Sequence, residues 1–316
     1  MRQKIAVLRG GPSSEFDISL KTGKSIINNL PENMEVFDII IDQMGDWYHD
    51  GTKIKPQNLA KKLDFLINAM HGEYGEDGKV QELLETLGIP YSGPKKLAAA
   101  LAMNKGLTKA IYKKIGLKTP QHHLIRREEY NPEIIIEIVQ KYSFPILLKP
   151  VGKGSSLGII CVKHYGELPQ LLEEIFRIEE QILVEEFIYG KEATVGVIEN
   201  FRNESHYALM PVEVLIPHDG VFDFNIKYSN EEHCNCPGNF TAKEKKELEQ
   251  MAIDAHKALD LRHYSRSDFR VHPKRGIFIL ETNALPKLTS TSPFSKGLEA
   301  IGSNLGEFVE YLIKQK

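Results

Sequence analysis

Three oxygen-bearing side chains near the end of the chain could share one hard cation. Asp268 lies in the run Ser265–Val271, while Glu281 and Asn283 close the run that starts at Gly276. Alternation along a strand puts Glu281 and Asn283 on one face, and pairing of the two runs would bring Asp268 beside them. Two carboxylates and an amide oxygen suit Mg²⁺ (or Mn²⁺), which fills its other octahedral positions with water and nucleotide phosphates. Arg266, two residues before Asp268 and on the same face, adds a fixed cation. The same residues also read as the solvated face of an edge strand, but paired acids there repel unless a cation neutralises them.

Glycine-rich loops raise the question of phosphate binding. The run Lys149-Pro-Val-Gly-Lys-Gly-Ser-Ser-Leu-Gly158 has a lysine at a strand end, glycines that let backbone N–H groups approach an anion, and the hydroxyls of Ser155 and Ser156. Composition alone also fits a glycine-rich β-turn. Gly23-Lys24-Ser25 imitates the end of a P-loop, but Ile18 stands where the first glycine is required. Gly10-Gly11 is either an anion-binding turn or a plain strand-to-helix turn, and it lacks the dinucleotide spacing. Cys161, Cys234 and Cys236 are too few for a disulfide framework, and His233-Cys234-Asn235-Cys236 has no second ligand pair for structural zinc.

The pattern predicts strand, glycine loop and helix over 3–9 and Ile18–Leu30. Strands at Glu35–Ile41 and Leu63–Asn68 and helices at Lys79–Leu87 and Lys96–Met103 continue a parallel α/β layer. A smaller α+β unit follows. It has helices at Lys105–Ile115, Pro132–Lys141 and Glu167–Ile178, a hairpin of Pro145–Lys149 with Ile159–Val162, and a strand at Gln181–Glu186. The last unit holds strands Ala193–Ile198 and Ala208–Val214, a polar loop Pro217–Ala242, a helix through Leu259, and strands Ser265–Val271 and Gly276–Glu281. The fold class is α/β (α+β), with three domains at 1–104, 105–190 and 191–316.

The chain of 316 residues is long enough to bury more than one core, and its formal charge of −3 gives no footprint for a nucleic acid. No apolar run approaches the roughly 20 residues of a membrane helix, and the first residues are not a secretory signal. The expected location is cytoplasmic, with the cysteines reduced.

Taken in order, the motifs resemble the D-alanine:D-alanine ligase family of the ATP-grasp superfamily. They are Gly10-Gly-Pro-Ser-Ser-Glu15 with Ser19-Leu20, His71-Gly-Glu-Tyr-Gly-Glu-Asp-Gly78 with Gln81 and Glu85, Ile89–Gly93, Ala99–Lys105, Lys149–Gly158, Val184–Glu192, Lys227-Tyr228, Ser265–Phe269 and Glu281-Thr-Asn283. The resemblance spans nearly the whole chain. It implies ATP as a substrate, held between the second and third domains by Lys105, Lys149 and Ser156 at the phosphates, Glu185, Phe187 and Ile188 at the adenine, and Glu192 at the ribose. It implies two Mg²⁺ (or Mn²⁺) ions on Asp268, Glu281 and Asn283. Glu15 would anchor the first substrate's ammonium beside His71, with Ser155 and Tyr228 linking Glu15 to a closing loop. Lys227 would assist at the transferred phosphate, and Arg266 with a backbone N–H near Lys287 would hold the tetrahedral oxyanion. The implied product is D-alanyl-D-alanine for peptidoglycan, made through a D-alanyl phosphate by a homodimer.

The chain departs from the family pattern around the second substrate. Pro286-Lys287-Leu288-Thr289 stands where the family usually has Pro-Gly-Met-Thr, and Ser292-Pro293 replaces a Ser-Leu pair whose second N–H binds the substrate carboxylate. Proline has no such N–H. Phe16 replaces a common arginine near the first substrate. Two alternatives follow: a related carboxylate–amine ligase with another second substrate, or a nucleotide-binding regulator without catalysis.

Overall fold

The computed structural model describes residues 2–152, 158–215 and 234–315. Its first sheet, in the order β4-β3-β2-β1-β5, comprises β1 (Lys4–Gly10), β2 (Glu35–Ile41), β3 (Trp47–His49), β4 (Thr52–Ile54) and β5 (Phe65–Asn68). β1 runs parallel to β2 and β5. Parallel strands are covered on both sides, and β1 shows how the alternation is used. Ile5 and Val7 join a core with Tyr264, Leu285 and Phe294 from the far end of the chain, whereas Ala6 and Leu8 join a separate core with Trp47 and Leu84. Helices α1 (Phe16–Ile27), α2 (Lys79–Thr86) and α3 (Lys96–Met103) accompany this sheet.

The second sheet, β6-β9-β7-β8, is antiparallel and is built from β6 (His122–Arg126), β7 (Ile146–Pro150), β8 (Ile160–Val162) and β9 (Gln181–Glu186). Helices α5 (Pro132–Lys141) and α6 (Leu168–Phe176) contribute Ile138, Leu172 and Ile175 to its own core. The preceding helix α4 (Lys105–Lys114) does not join that core; its Tyr112 packs with the third sheet.

That third sheet, β13-β12-β10-β14-β15 with β11 also on β10, contains β10 (Lys191–Phe201), β11 (Glu204–Ala208), β12 (Val212–Val214), β13 (Cys234–Asn235), β14 (Tyr264–His272) and β15 (Gly276–Asn283). One face is covered by α7 (Ala242–Ala258), whose start is fixed by a Thr241–Glu244 capping box. Helices α8 (Pro293–Ala300) and α9 (Leu305–Lys314) complete the chain.

The expected strand Ala208–Val214 is corrected to two, β11 and β12. Pro211 cannot donate to the ladder, and the chain detaches from β10 around it. Strands β3, β4 and β6 are absent from the sequence expectation, being short with side chains that mix apolar and basic or histidine residues, and the two-residue β13 corrects the expected Pro217–Ala242 loop by pairing with β12. Of the expected Pro217–Ala242 loop, residues 217–233 lie outside the described residues, as do 153–157 of the glycine-rich run.

Candidate active site

The β14–β15 ladder places the three predicted oxygen donors together. Asp268 faces Glu281 directly, and Arg266 faces Asn283. The register contains a bulge: Phe269 pairs with Ile279, Asp268 with Glu281, and Leu280 is the extra residue. Simple alternation would put Glu281 on the face of Ile277 and Ile279, which is packed under α7. The bulge turns Glu281 and Asn283 to the opposite face, beside Arg266 and Asp268.

Asp268 is heavily held. Arg266 donates to it twice, at 2.9 and 2.8 Å, Thr194 Oγ1 donates at 2.6 Å, and Asn283 Nδ2 at 3.1 Å. Lys105, buried at the start of α4, is 3.9 Å from Glu281. Asn104 caps that helix by accepting from the Leu107 N–H, which fixes the direction of the first turn. Lys105, Thr108, Glu281 and Asn283 line one crevice together with Glu76. The donor set fits a hard divalent cation, because it is all oxygen and its two carboxylates are directly opposed across a ladder.

Ser13 Oγ donates to the His71 carbonyl at 2.6 Å and accepts from the Glu15 N–H at 3.2 Å. Glu15 precedes α1 and is buried. Gly72, at φ +74°, leaves room for it: a Cβ there would lie 2.8 Å from Glu15 Oε2. His71 is bonded to Thr22 Oγ1 at 2.8 Å, and burial, with the nearby charges of Lys287 and Arg266, drives its pKa down to about 3. Glu76, which the motif reading passed over as an acceptor, takes the Gly72 N–H at 2.7 Å. Burial, then the charge of Glu15, pushes its carboxyl up to about 8.

Glu185 sits between two lysines: Lys149 Nζ is 2.5 Å from Oε1 and Lys109 Nζ is 2.6 Å from Oε2. All three are buried. Burial alone would raise the Glu185 carboxyl, but the two ammonium groups outweigh it and hold it down at about 2. Lys109 is brought down to about 8, chiefly by burial and against the pull of Glu185. Lys109 was missed by sequence reasoning, although it lies four residues after Lys105 on the same helix and so on the same face. Thr194 was missed as well; nothing in its local sequence marks it.

Ile188 is buried and Phe187 half-buried against Tyr189, with ring centroids 4.8 Å apart. Glu192 pairs with Arg270 at 3.0 Å. Ser292 is buried and caps α8 by accepting from the Ser295 N–H, which leaves Pro293 in the first helical turn. Proline is tolerated there because that N–H has no partner within the helix. Lys287 is half-buried near His71. Ser155, Ser156, Lys227 and Tyr228 lie outside the described residues.

Two family models match the chain: D-ala D-ala ligase N-terminus over residues 4–58 and 49–94, and D-ala D-ala ligase C-terminus over residues 111–314. The D-alanine--D-alanine ligase of Clostridium beijerinckii is 35% identical over 312 residues, covering 98% of this chain and 97% of its own. That of Aquifex aeolicus is 34% identical over 313 residues, with 98% and 99% covered. Among solved structures, the VanG D-Ala:D-Ser ligase of Enterococcus faecalis superposes with a TM-score of 0.87 at 28% identity over 99% of both chains. The D-alanine-D-alanine ligase of Coxiella burnetii gives 0.85 at 27% identity, over 99% of this chain and 93% of its own.

Proposed function

The chain belongs to the D-alanine–D-alanine ligase family, and from that premise we propose how its own residues carry out the family's reaction. The protein is an ATP-dependent ligase with the ATP-grasp fold that joins two D-alanines into D-alanyl-D-alanine, a precursor for peptidoglycan. The observation that carries the site assignment is the convergence of Arg266, Asp268, Glu281 and Asn283 on one face of the β14–β15 ladder.

Glu15 receives the ammonium of the first D-alanine, and neutral His71 lines that pocket without adding a competing charge. The substrate carboxylate attacks the γ-phosphorus of ATP, forming D-alanyl phosphate and ADP. Lys149 and Lys105 face the phosphates; Glu185, assigned to the adenine end of the site, also holds Lys149 in place. Ser156 belongs with these phosphate contacts, Phe187 and Ile188 with the adenine, and Glu192 with the ribose. Asp268, Glu281 and Asn283 would hold Mg²⁺ or Mn²⁺, which neutralises developing phosphate charge when bound. The amine of the second D-alanine then attacks the acyl carbon and phosphate departs. Arg266, fixed by its bidentate grip on Asp268, is aimed for the tetrahedral oxyanion, with a backbone N–H near Lys287 as its partner. Lys227 would assist at the transferred phosphate, and Ser155 and Tyr228 would link Glu15 to a closing loop that excludes water from the acyl phosphate.

A second reading keeps this ATP site and changes the second substrate. VanG is a D-Ala:D-Ser ligase, and in this chain Lys287 and Pro293 depart from the family pattern in the segment that the resemblance gives to the second substrate. Phosphate release with ATP, Mg²⁺ and D-alanine, with the product identified by mass, separates the readings. D-alanyl-D-alanine supports the first, release only with D-serine supports the second, and no release with either favours a nucleotide-binding regulator. A homodimer is part of the same proposal and is checked by sedimentation. A cytoplasmic location is part of the same proposal; among the described residues no helix is long and apolar enough to cross a membrane.

A further inference from the structure

On the α7 side of the third sheet, away from the nucleotide crevice, three potential ligands converge. Glu199 on β10 faces His206 on β11 directly, and His256 projects from α7 onto both. Glu199 Oε1 is 3.6 Å from His256 Nε2 and 3.8 Å from His206 Nε2, and the donor atoms all lie within 4.8 Å of one another. Donors at zinc bond lengths around a tetrahedron stand roughly 3.3–3.4 Å apart, so small side-chain rotations close this set. We propose that Glu199, His206 and His256 form a Zn²⁺ site on the opposite side of the sheet from Arg266 and Asp268.

Two further observations point to a ligand. His256 is fully buried, and its Nε2 has no hydrogen-bond partner; 3.6 Å to Glu199 is too long for one. A buried polar atom left bare is costly, and a metal between imidazole and carboxylate removes that cost. Each ligand is also steadied from behind. His256 Nδ1 meets Ser265 Oγ at 2.7 Å, His206 Nδ1 meets Ser205 Oγ at 3.2 Å, and Glu199 Oε2 accepts the His263 N–H at 2.6 Å. Such outer contacts orient metal-binding imidazoles and carboxylates. Two imidazoles with one carboxylate favour Zn²⁺ over Mg²⁺. The side chains of His206 and Glu199 are about one-fifth exposed, at 21% and 22%, so water reaches the remaining position. An ion there ties α7 to the β10–β11 hairpin, and Ser265 behind His256 is the immediate chain neighbour of Arg266.

The test is calorimetric titration of the chelator-stripped full chain with Zn²⁺, in saturating Mg²⁺ and ATP so that the nucleotide crevice is occupied. One equivalent is expected to bind, weakened roughly tenfold or more in His206→Ala and in Glu199→Gln. Zn²⁺ should raise the melting temperature of the natural protein and not that of His206→Ala, whose folding is checked by ellipticity. Replacing Zn²⁺ with Co²⁺ should give the visible absorption of a four-coordinate imidazole site. No bound equivalent, or one unchanged in both variants, overturns the proposal and leaves an ordinary histidine–glutamate contact.

Discussion

Arg266 grips Asp268, two residues further along the same strand, through two parallel hydrogen bonds at 2.9 and 2.8 Å. Such a fork fixes the guanidinium plane, which a lysine cannot reproduce. Arg266→Lys is expected to lower kcat about a hundredfold, the cost of a lost oxyanion donor, with the KM for ATP changed only a few-fold. Steady-state kinetics with each substrate varied in turn checks this; an unchanged kcat would remove Arg266 from the oxyanion role.

Lys109 is expected to matter to stability as well as to ATP. Lys109→Met leaves Glu185 with one ammonium in place of two, in a site closed to water. Breaking a buried ion pair from one side costs about 3 kcal/mol. Urea unfolding should show that loss, and ATP binding should weaken because Glu185 then draws Lys149 more tightly. A change below about 1 kcal/mol would mean that water enters and takes the place of the lost partner.

Pro293 removes an N–H from the first turn of α8. If the second substrate's carboxylate is received there, Pro293→Leu restores one charge-assisted bond and lowers the KM for the second D-alanine about tenfold. The position is buried, so unfolding is measured alongside. No change in KM would indicate that the ammonium of Lys287 already supplies the contact, and Lys287→Gly would then raise it.

His71 makes stability depend on pH. Its folded pKa is about 3, lowered first by burial, against an ordinary value of 6.5. Between those values the unfolded chain binds a proton that the folded chain refuses, so stability falls as pH drops from 6.5 towards 3. The loss is at most about 1.4 kcal/mol per pH unit in that window. His71→Asn should flatten the slope of unfolding free energy between about pH 7 and about pH 5. The difference between the two proteins isolates His71 from other buried histidines such as His263, itself lowered to about 4.

Local pattern was enough for much of the scaffold. Glu35–Ile41, Lys96–Met103, Pro132–Lys141 and Gln181–Glu186 are found with the bounds read from periodicity, because each has an apolar face of helical or strand period ended by a cap, a proline or charge. Ala208–Val214 did not hold as one strand, since pairing to β10 is interrupted around Pro211.

For the site, the sequence by itself determined which residue types are available: oxygen donors at Asp268, Glu281 and Asn283, an arginine two residues from the first, and a lysine ahead of a glycine-rich run. These are properties of composition and spacing along one strand or turn. Tertiary structure alone decided which face the donors occupy, because one bulge at Leu280 reverses the alternation that began at Ile277. It also made Lys109 part of the Glu185 triad, and brought His256 to Glu199 and His206 from a distant part of the chain. Burial and strand register arise from packing between distant segments, so their effects on charge and contact are not written at any single position.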